Sequence, residues 1–447
     1  MNELDAFVKS INDICQNIGG TELDIEKARV VIKELNEFLY TNYDGIGNTE
    51  ALGEQFEYIS DFHKYWNEHY REILNIQIVE NQCQKIAIAL HDIYKMTDGK
   101  AFSELYDTYG LTKNDICRIR FLTANQDFRG SISFRELVDI FRSDNSIFDE
   151  KKIFDNPEEF VKLIGVTGLS QNDKRIIYAK NISKFLIELN CDPFSIIDKY
   201  NRDVLAFRTS LTSYNGAGYG NKKADMFIRD MVVLSIWDNI TGFDKINVAS
   251  DVNTIKVALR TGIIKTDIPL VSSFLDIFCY QYGYVDSMNA NAWRKVWEIW
   301  KKLFPSESIE SPCLMDYFVY NVVGKQFCKE ILYFFQCNSE KHMFKWHSSH
   351  NKTCQICYKA DRRNEKATLI RKVMPCMDAD GDIAISQTTF VLSQIISPTL
   401  NQCPFQAICN DNNTNILQPP KSISIKGQTG WTSSYTKKEQ GGGGLMA

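Results

Sequence analysis

The stretch Asn215-Gly216-Ala217-Gly218-Tyr219-Gly220-Asn221-Lys222-Lys223-Ala224-Asp225-Met226-Phe227 decides how this chain of 447 residues is read. Glycines this dense beside lysines suggest a loop that meets phosphate, and three such loops compete for them. A P-loop requires Gly, four residues and then Gly-Lys-Ser/Thr. Here Asn221 separates Gly220 from Lys222, and Lys223 stands where the hydroxyl belongs. A dinucleotide loop requires a buried strand before it and a third glycine three places after the second. Gly216, Gly218 and Gly220 are evenly spaced at two, and Val204 to Tyr214 ahead of them has the pattern of a helix and its end.

The third reading fits every position. Two helices are joined by a turn so tight that a Cβ at Gly218 or Gly220 would clash, and Ala224 is small enough for the second helix to pack on the first. In this helix-hairpin-helix arrangement Gly218, Gly220 and Asn221 present backbone N–H groups near the start of a helix, where the dipole favours an anion. Such a turn holds a DNA phosphate and positions the duplex without reading its sequence.

Gly218-Tyr219-Gly220-Asn221-Lys222-Lys223-Ala224-Asp225 resembles the hairpin of the helix-hairpin-helix DNA glycosylases, especially their 8-oxoguanine and endonuclease-III-like branches. The resemblance covers residues 111 to 305 and implies that Lys222 is the Schiff-base nucleophile. It also implies an essential Asp in a short segment that starts a helix, and Val248-Ala249-Ser250-Asp251-Val252-Asn253-Thr254 is similar to that segment. Asp251 follows Lys222 by 29 residues, a spacing nearer to the archaeal 8-oxoguanine branch than to the commonest members. Upstream, Phe121-Leu122-Thr123-Ala124-Asn125-Gln126 resembles the segment whose amide fills the gap left by a flipped nucleotide, which puts Asn125 among the DNA-binding residues with Gly218, Gly220 and Asn221.

The chemistry asks for these residue types. Breaking an N-glycosidic bond develops positive charge on the sugar, and a carboxylate such as Asp251 stabilises it. Lys222 must be neutral to attack C1′, and partial burial, the helix N-terminus and Lys223 beside it would all lower its pKa. The alternative is purely structural, with Lys222 on a phosphate and Asp251 capping the helix that begins at Val252.

Farther out, apolar residues recur at helical spacing from Leu4 to about Thr97, and the pattern stays helical to Phe304. Asn156-Pro157-Glu158-Glu159 has the composition of a helix start. Trp293, Trp297 and Trp300 share one helix face and read as core, and His63, His69 and His91 as polar groups on helices. The expected architecture is all-α: an N-terminal helical domain over 1–110, a glycosylase-like core over 111–305 and a small Cys-rich lobe over 306–447.

In that lobe Cys354-Gln355-Ile356-Cys357 is a C-x2-C, a spacing at which two thiolates bind one metal. Cys337 and Cys376 are the expected partners, with His342, His347 and His350 also available. Cys403 and Cys409, a C-x5-C, are similar to the end of the iron–sulfur run of the endonuclease-III-like enzymes. The rest of that run is absent, which favours zinc over an iron–sulfur cluster. Asp378, Asp380 and Asp382 do not form a calcium loop, because Gly381 falls fourth instead of sixth.

With 51 Lys+Arg against 56 Asp+Glu the net charge is -5, so contact with DNA has to come from a local surface. Thirteen Cys are too few for a disulfide scaffold, and the start lacks a leader pattern, which points to the cytoplasm. No stretch is long and apolar enough to span a membrane, and no obligate protein partner is evident. The expected function is a DNA glycosylase that flips out a damaged or modified base and cuts its N-glycosidic bond, with a lyase step if Lys222 attacks. Its setting would be base-excision repair or defence against phage with modified DNA. The alternatives are a non-catalytic DNA-binding module and an enzyme acting on a nucleoside or an RNA base.

Overall fold

A computed structural model describes residues 13–14, 16–18, 22–32, 48–51, 57–103, 107–128, 132–168, 171–267, 282–328, 332–346, 353–362, 364–373, 390–391, 399–400, 403–412 and 424–427. The chain is mostly helical. After helical residues 25–32 come α1 (Glu57–Leu74) and α2 (Glu80–Thr97), and α2 buries Cys83, Ile86, Leu90 and Ile93, the stripe that three- and four-residue spacing creates. Next are α3 (Lys113–Thr123), α4 (Phe134–Ser143), α5 (Glu150–Asp155), α6 (Pro157–Leu163) and the long α7 (Asn172–Leu189). Their starts are written in the sequence. Ser133 and Glu136 form a capping box on α4, and Asn156 caps α6 with Pro157 in its first turn.

The quoted stretch lies between α8 (Val204–Ser213) and α9 (Asn221–Val233), two helices that pack on each other. Arg208 on α8 forms a two-pronged ion pair with Asp225 on α9, its Nη2 lying 3.0 Å from Oδ2, which ties the helices together. Helix α10 (Val252–Thr261) begins at Asp251, and α11 (Tyr282–Leu303) packs against both α10 and α2. On α11 the indoles of Trp293, Trp297 and Trp300 are buried, with each Nε1 donating inside the protein, as the core reading requires. A π-helix, Phe318–Phe327, then crosses α10. Gly324 permits the crossing, since a Cβ there would lie 2.8 Å from the Cβ of Asn253.

Burial does not break at residue 110 or at residue 305. One apolar cluster runs from Ala28 through α2, α9 and α11 to Phe318, Phe327 and, after a long excursion, Phe405. The Cys-rich lobe departs from the all-helical expectation. Its frame is a three-stranded antiparallel sheet in the order β2-β1-β3: β1 is Leu332–Cys337, β2 is Met343–Trp346 and β3 is Ala367–Val373. Tyr333 pairs with Trp346 and with Lys372 across the two ladders. Phe335, Cys337, Cys354, Cys357 and Ala367 form a second, separate buried cluster. The sequence there lacks the sustained three-and-four spacing of the rest, and short runs such as Leu332-Tyr333-Phe334-Phe335 suit a strand equally well. No helix among the described residues is long and apolar enough to cross a membrane.

Candidate active site and metal cluster

The turn between α8 and α9 is fixed from below. Gly218 has φ +75°, and a Cβ on it would stand 2.5 Å from the ring of Tyr178 on α7, so glycine is required there twice over. Gly220 is different: its φ is -88° and a Cβ would meet nothing within 4 Å, so the expected clash at that position is absent. What Gly220 contributes is its lack of a side chain at the N-cap, which leaves the first N–H groups of α9 without a cap of their own. Asn221 opens that helix and is exposed. Tyr219 points inward and donates its hydroxyl to the Phe121 carbonyl at 2.7 Å.

Asn125 does not reach outward, as the resemblance implied. It is fully buried, and its Nδ2 donates to the carbonyls of Ala217 (2.9 Å) and Tyr178 (3.1 Å) while its Oδ1 accepts from Gln126. With both donors and one acceptor site of its amide engaged inside the protein, Asn125 supports the hairpin. The two lysines divide the labour in a way the sequence did not suggest. Lys223 is buried, donates from Nζ to the Asn125 carbonyl at 2.9 Å, and lies over the Phe128 ring at 4.7 Å. Burial lowers its pKa to about 7, with Asp127 opposing and the charges of Lys222 and Arg175 adding to the fall. Lys222 stays half-buried on the first turn of α9.

Asp251 is 5% exposed and caps α10 as its position predicted. Its Oδ1 accepts from the N–H groups of Asn253 (3.0 Å) and Thr254 (2.8 Å), and its Oδ2 accepts from Asn253 Nδ2 (3.2 Å). Two further carboxyls, which sequence reasoning missed, come into play here. Asp286 on α11 accepts a 2.7 Å hydrogen bond from Ser250, the residue before Asp251. Burial raises its pKa to about 6, with the Ser250 bond and Lys222 opposing and Asp251 adding to the rise. Asp316, just before the π-helix, is raised to about 7 by burial, against the pull of Arg229 and Lys222 and with the push of Asp251.

Behind Asp316 the charges are paired in a chain. Arg229 on α9 bonds Asp316 and Asp230, and Asp230 also accepts from Arg120 at 3.0 Å. In a buried chain of this kind, removing any one member strands a charge without water. The signal that could have found Asp286 is helical spacing. Asp286 and Asn289 continue the face of Trp293, Trp297 and Trp300 toward the start of α11, and polar residues on a buried face have a purpose or a partner. Asp316 had no such signal.

In the lobe, the Sγ atoms of Cys337, Cys354 and Cys357 and a ring nitrogen of His342 lie within 4.8 Å of one another, a group that could hold a metal ion. Cys337 ends β1 and His342 precedes β2, so the turn between them brings a thiol and an imidazole together; the Cys337 N–H donates to the His342 carbonyl at 2.9 Å. Cys354 caps the short α12 (Gln355–Lys359), and its Sγ accepts from the Cys357 N–H. His342, one of the available imidazoles, joins the three thiols, while Cys376, His347 and His350 lie outside the described residues. Cys403 and Cys409 lie in the main core instead, Cys403 just before α13 (Gln406–Asn412) and Cys409 within it, in a different buried cluster from Cys354 and Cys357.

Compared with known protein families, with curated proteins and with solved structures, the chain finds no match.

Proposed function

We propose that the chain is a DNA glycosylase that turns a damaged or modified base out of the duplex and breaks its N-glycosidic bond. Lys222 is the amine that attacks C1′, and Asp251 is the carboxylate that stabilises the positive sugar. The observation that supports this reading is the tight turn at Gly218, which sets Lys222 on the uncapped first turn of α9, while Asp251 stands buried at the start of α10. The uncapped first turn of α9 suits a DNA phosphate, and the tight turn before it lets the backbone come close. Base-excision repair and defence against modified phage DNA both fit this chemistry.

The test is incubation with duplexes carrying different modified bases, with borohydride present to trap an imine. Wild type forms a covalent protein–DNA adduct that Lys222→Gln loses. Base release without an adduct, in both proteins, would leave Asp251 and water as the catalytic pair. A non-catalytic DNA-binding module is the second reading, favoured by the cap that occupies both oxygens of Asp251. It predicts binding with no base released from any duplex.

For the lobe the reading is structural zinc. Tetrahedral zinc with Zn–S bonds of about 2.3 Å sets neighbouring sulfurs roughly 3.8 Å apart. Cys337 Sγ and Cys357 Sγ are 3.7 Å apart, and His342 Nε2 is 3.7 Å from Cys357 Sγ. Three thiols and one imidazole are a complete soft donor set with no position left for a substrate, which suits a structural site better than a catalytic one.

A further inference from the structure

We infer that the outer face of the lobe's sheet binds a single strand of nucleic acid, because the register of the three strands sets Phe334 between Lys345 and Arg371 on the side away from the thiols. The inference stands apart from the glycosylase reading: it concerns the lobe, whose buried cluster is separate from the one beneath the hairpin.

Charge singles the lobe out. Residues 332–373 hold nine Lys+Arg and three Asp+Glu, a net of +6 in a chain whose total is -5. Three thiolates around one divalent zinc would lower that excess only slightly. Two of the three acids stand at one end of the sheet, in the turn after β1 and just before β3. Glu340 pairs there with Arg362 at 2.5 Å, and Glu365 accepts from the Ser339 hydroxyl. A region this basic in an acidic protein attracts a polyanion by its local field.

Strand alternation gives the two faces of the sheet different surroundings. Phe335 and Cys337 on β1 are buried with Cys354 and Cys357, and Phe344 on β2 and Leu369 on β3 pack against them. The Phe335 and Phe344 rings are stacked at 5.6 Å. Phe334 and Lys345, each next to one of these residues, therefore take the other face, and they are register partners. On β3 the period alone would put Arg371 on the face of Leu369, two residues before it. The irregular β1–β3 ladder prevents that. Leu369 pairs with Phe335 and Arg371 with Phe334, so Ile370 is the extra residue of a bulge, and Arg371 joins the row of Phe334 and Lys345. The next row on this face is Met343, Gln336 and Thr368, and Thr368 is exposed, so the face opens to solvent there.

An aromatic residue with a cation on the strand to either side, the two cations roughly 10 Å apart across the sheet, matches one base and its flanking phosphates. The ring stacks on the π-face that every base has, while lysine and arginine hold the backbone, so binding is sequence-tolerant and salt-dependent. A duplex keeps its bases stacked, and its major groove admits a helix or a two-stranded ribbon, not the face of a three-stranded sheet. The single strand is the partner that uses the aromatic.

The test is fluorescence anisotropy of the full chain with labelled oligothymidine of about 12 nucleotides, a length within the range that one sheet platform covers. The probe contains no modified base, so the readout is independent of base release at the hairpin. Wild type binds it, Phe334→Ala weakens binding about tenfold or more, and Phe334→Trp restores it. Lys345→Gln together with Arg371→Gln lowers the slope of log affinity against log salt by about 1.4, the share of two phosphate contacts on a single strand. An unmodified duplex loses no affinity in Phe334→Ala. Each variant is first shown to keep the wild-type pattern of limited proteolysis; where Phe334→Ala does not, Phe334→Leu, apolar but not aromatic, takes its place. Unchanged affinity for the strand in variants that keep the pattern would overturn the inference. Loss on removal of the charges with none on removal of the ring, the behaviour of a plain polyanion surface, would overturn it too, as would equal losses on strand and duplex. Base release from modified duplexes by the same variants is the separate readout of the glycosylase reading, so either can fail alone.

Discussion

Beneath the hairpin the polar groups find their partners inside the protein: Asn125 bonds Tyr178, Ala217 and Gln126, and Lys223 bonds the Asn125 carbonyl. In the lobe, four donor atoms converge within 4.8 Å over a buried cluster of five residues. Hydrogen bonds of the first kind contribute about 1 kcal/mol each, and a large apolar core shares the load. A cluster as small as the second cannot hold a three-stranded sheet by burial, and a bound structural zinc adds roughly 10–16 kcal/mol. One region is therefore organised by its own core, and the other carries a donor set with which a metal would organise it.

The largest expected effect breaks that comparison directly. Removing the metal with a chelator, or changing Cys354 or Cys357 to Ser, unfolds the lobe and leaves the helical region melting as before. Elemental analysis finds one zinc per chain in wild type and none in the variants, and limited proteolysis cuts between Leu332 and Val373 only after removal. Loss of the helical melt together with the lobe would show that the two regions share their stability.

At the hairpin the corresponding experiment is Asp251→Asn. Asn caps a helix about as well as Asp, so the fold is kept, but on the proposed reading the charge that would stabilise a sugar cation is gone. Single-turnover base release falls by about 100-fold or more, and DNA affinity stays within a few-fold. Full activity would remove Asp251 from the chemistry and leave it as a cap alone.

Two glycines sharpen the picture further. Gly218→Ala forces a positive φ on a side-chain-bearing residue and drives a Cβ into Tyr178, which costs roughly 2–4 kcal/mol. Gly220→Ala meets nothing and changes only an N-cap, for about 1 kcal/mol or less. Denaturant midpoints separate the two, and equal losses would mean that the turn is not built as described.

The smallest effect is a slope. Lys223 titrates near pH 7 when folded and near 10.4 when unfolded, so between those values the unfolded chain holds a proton that the folded one has lost. Stability from this group therefore rises with pH from about 7 to 10. Asp286 and Asp316, raised to about 6 and about 7, act in the opposite sense: the folded chain keeps their protons longer, and stability falls as pH rises from about 4 to 7. Denaturation against pH for wild type and Lys223→Met checks the first slope, which the variant removes.

Local rules were legible in the residues. The helix start at Asp251, the cap and proline at Asn156-Pro157, the tight turn at Gly218 and the thiol pair of Cys354 and Cys357 each depend on a few neighbours along the chain. Backbone sterics and orphan N–H groups act over that range, so the sequence by itself determined them. Tertiary structure decided what neighbours could not. Whether Lys222 or Lys223 is buried depends on which side of α9 meets Phe128 and Asn125, residues about a hundred positions away. Asp286 comes beside Asp251 because α11 brings it to Ser250, and His342 joins the thiols because a strand turn sets it beside Cys337. Desolvation and hydrogen bonding depend on distance in space, and those distances exist only once the helices have packed.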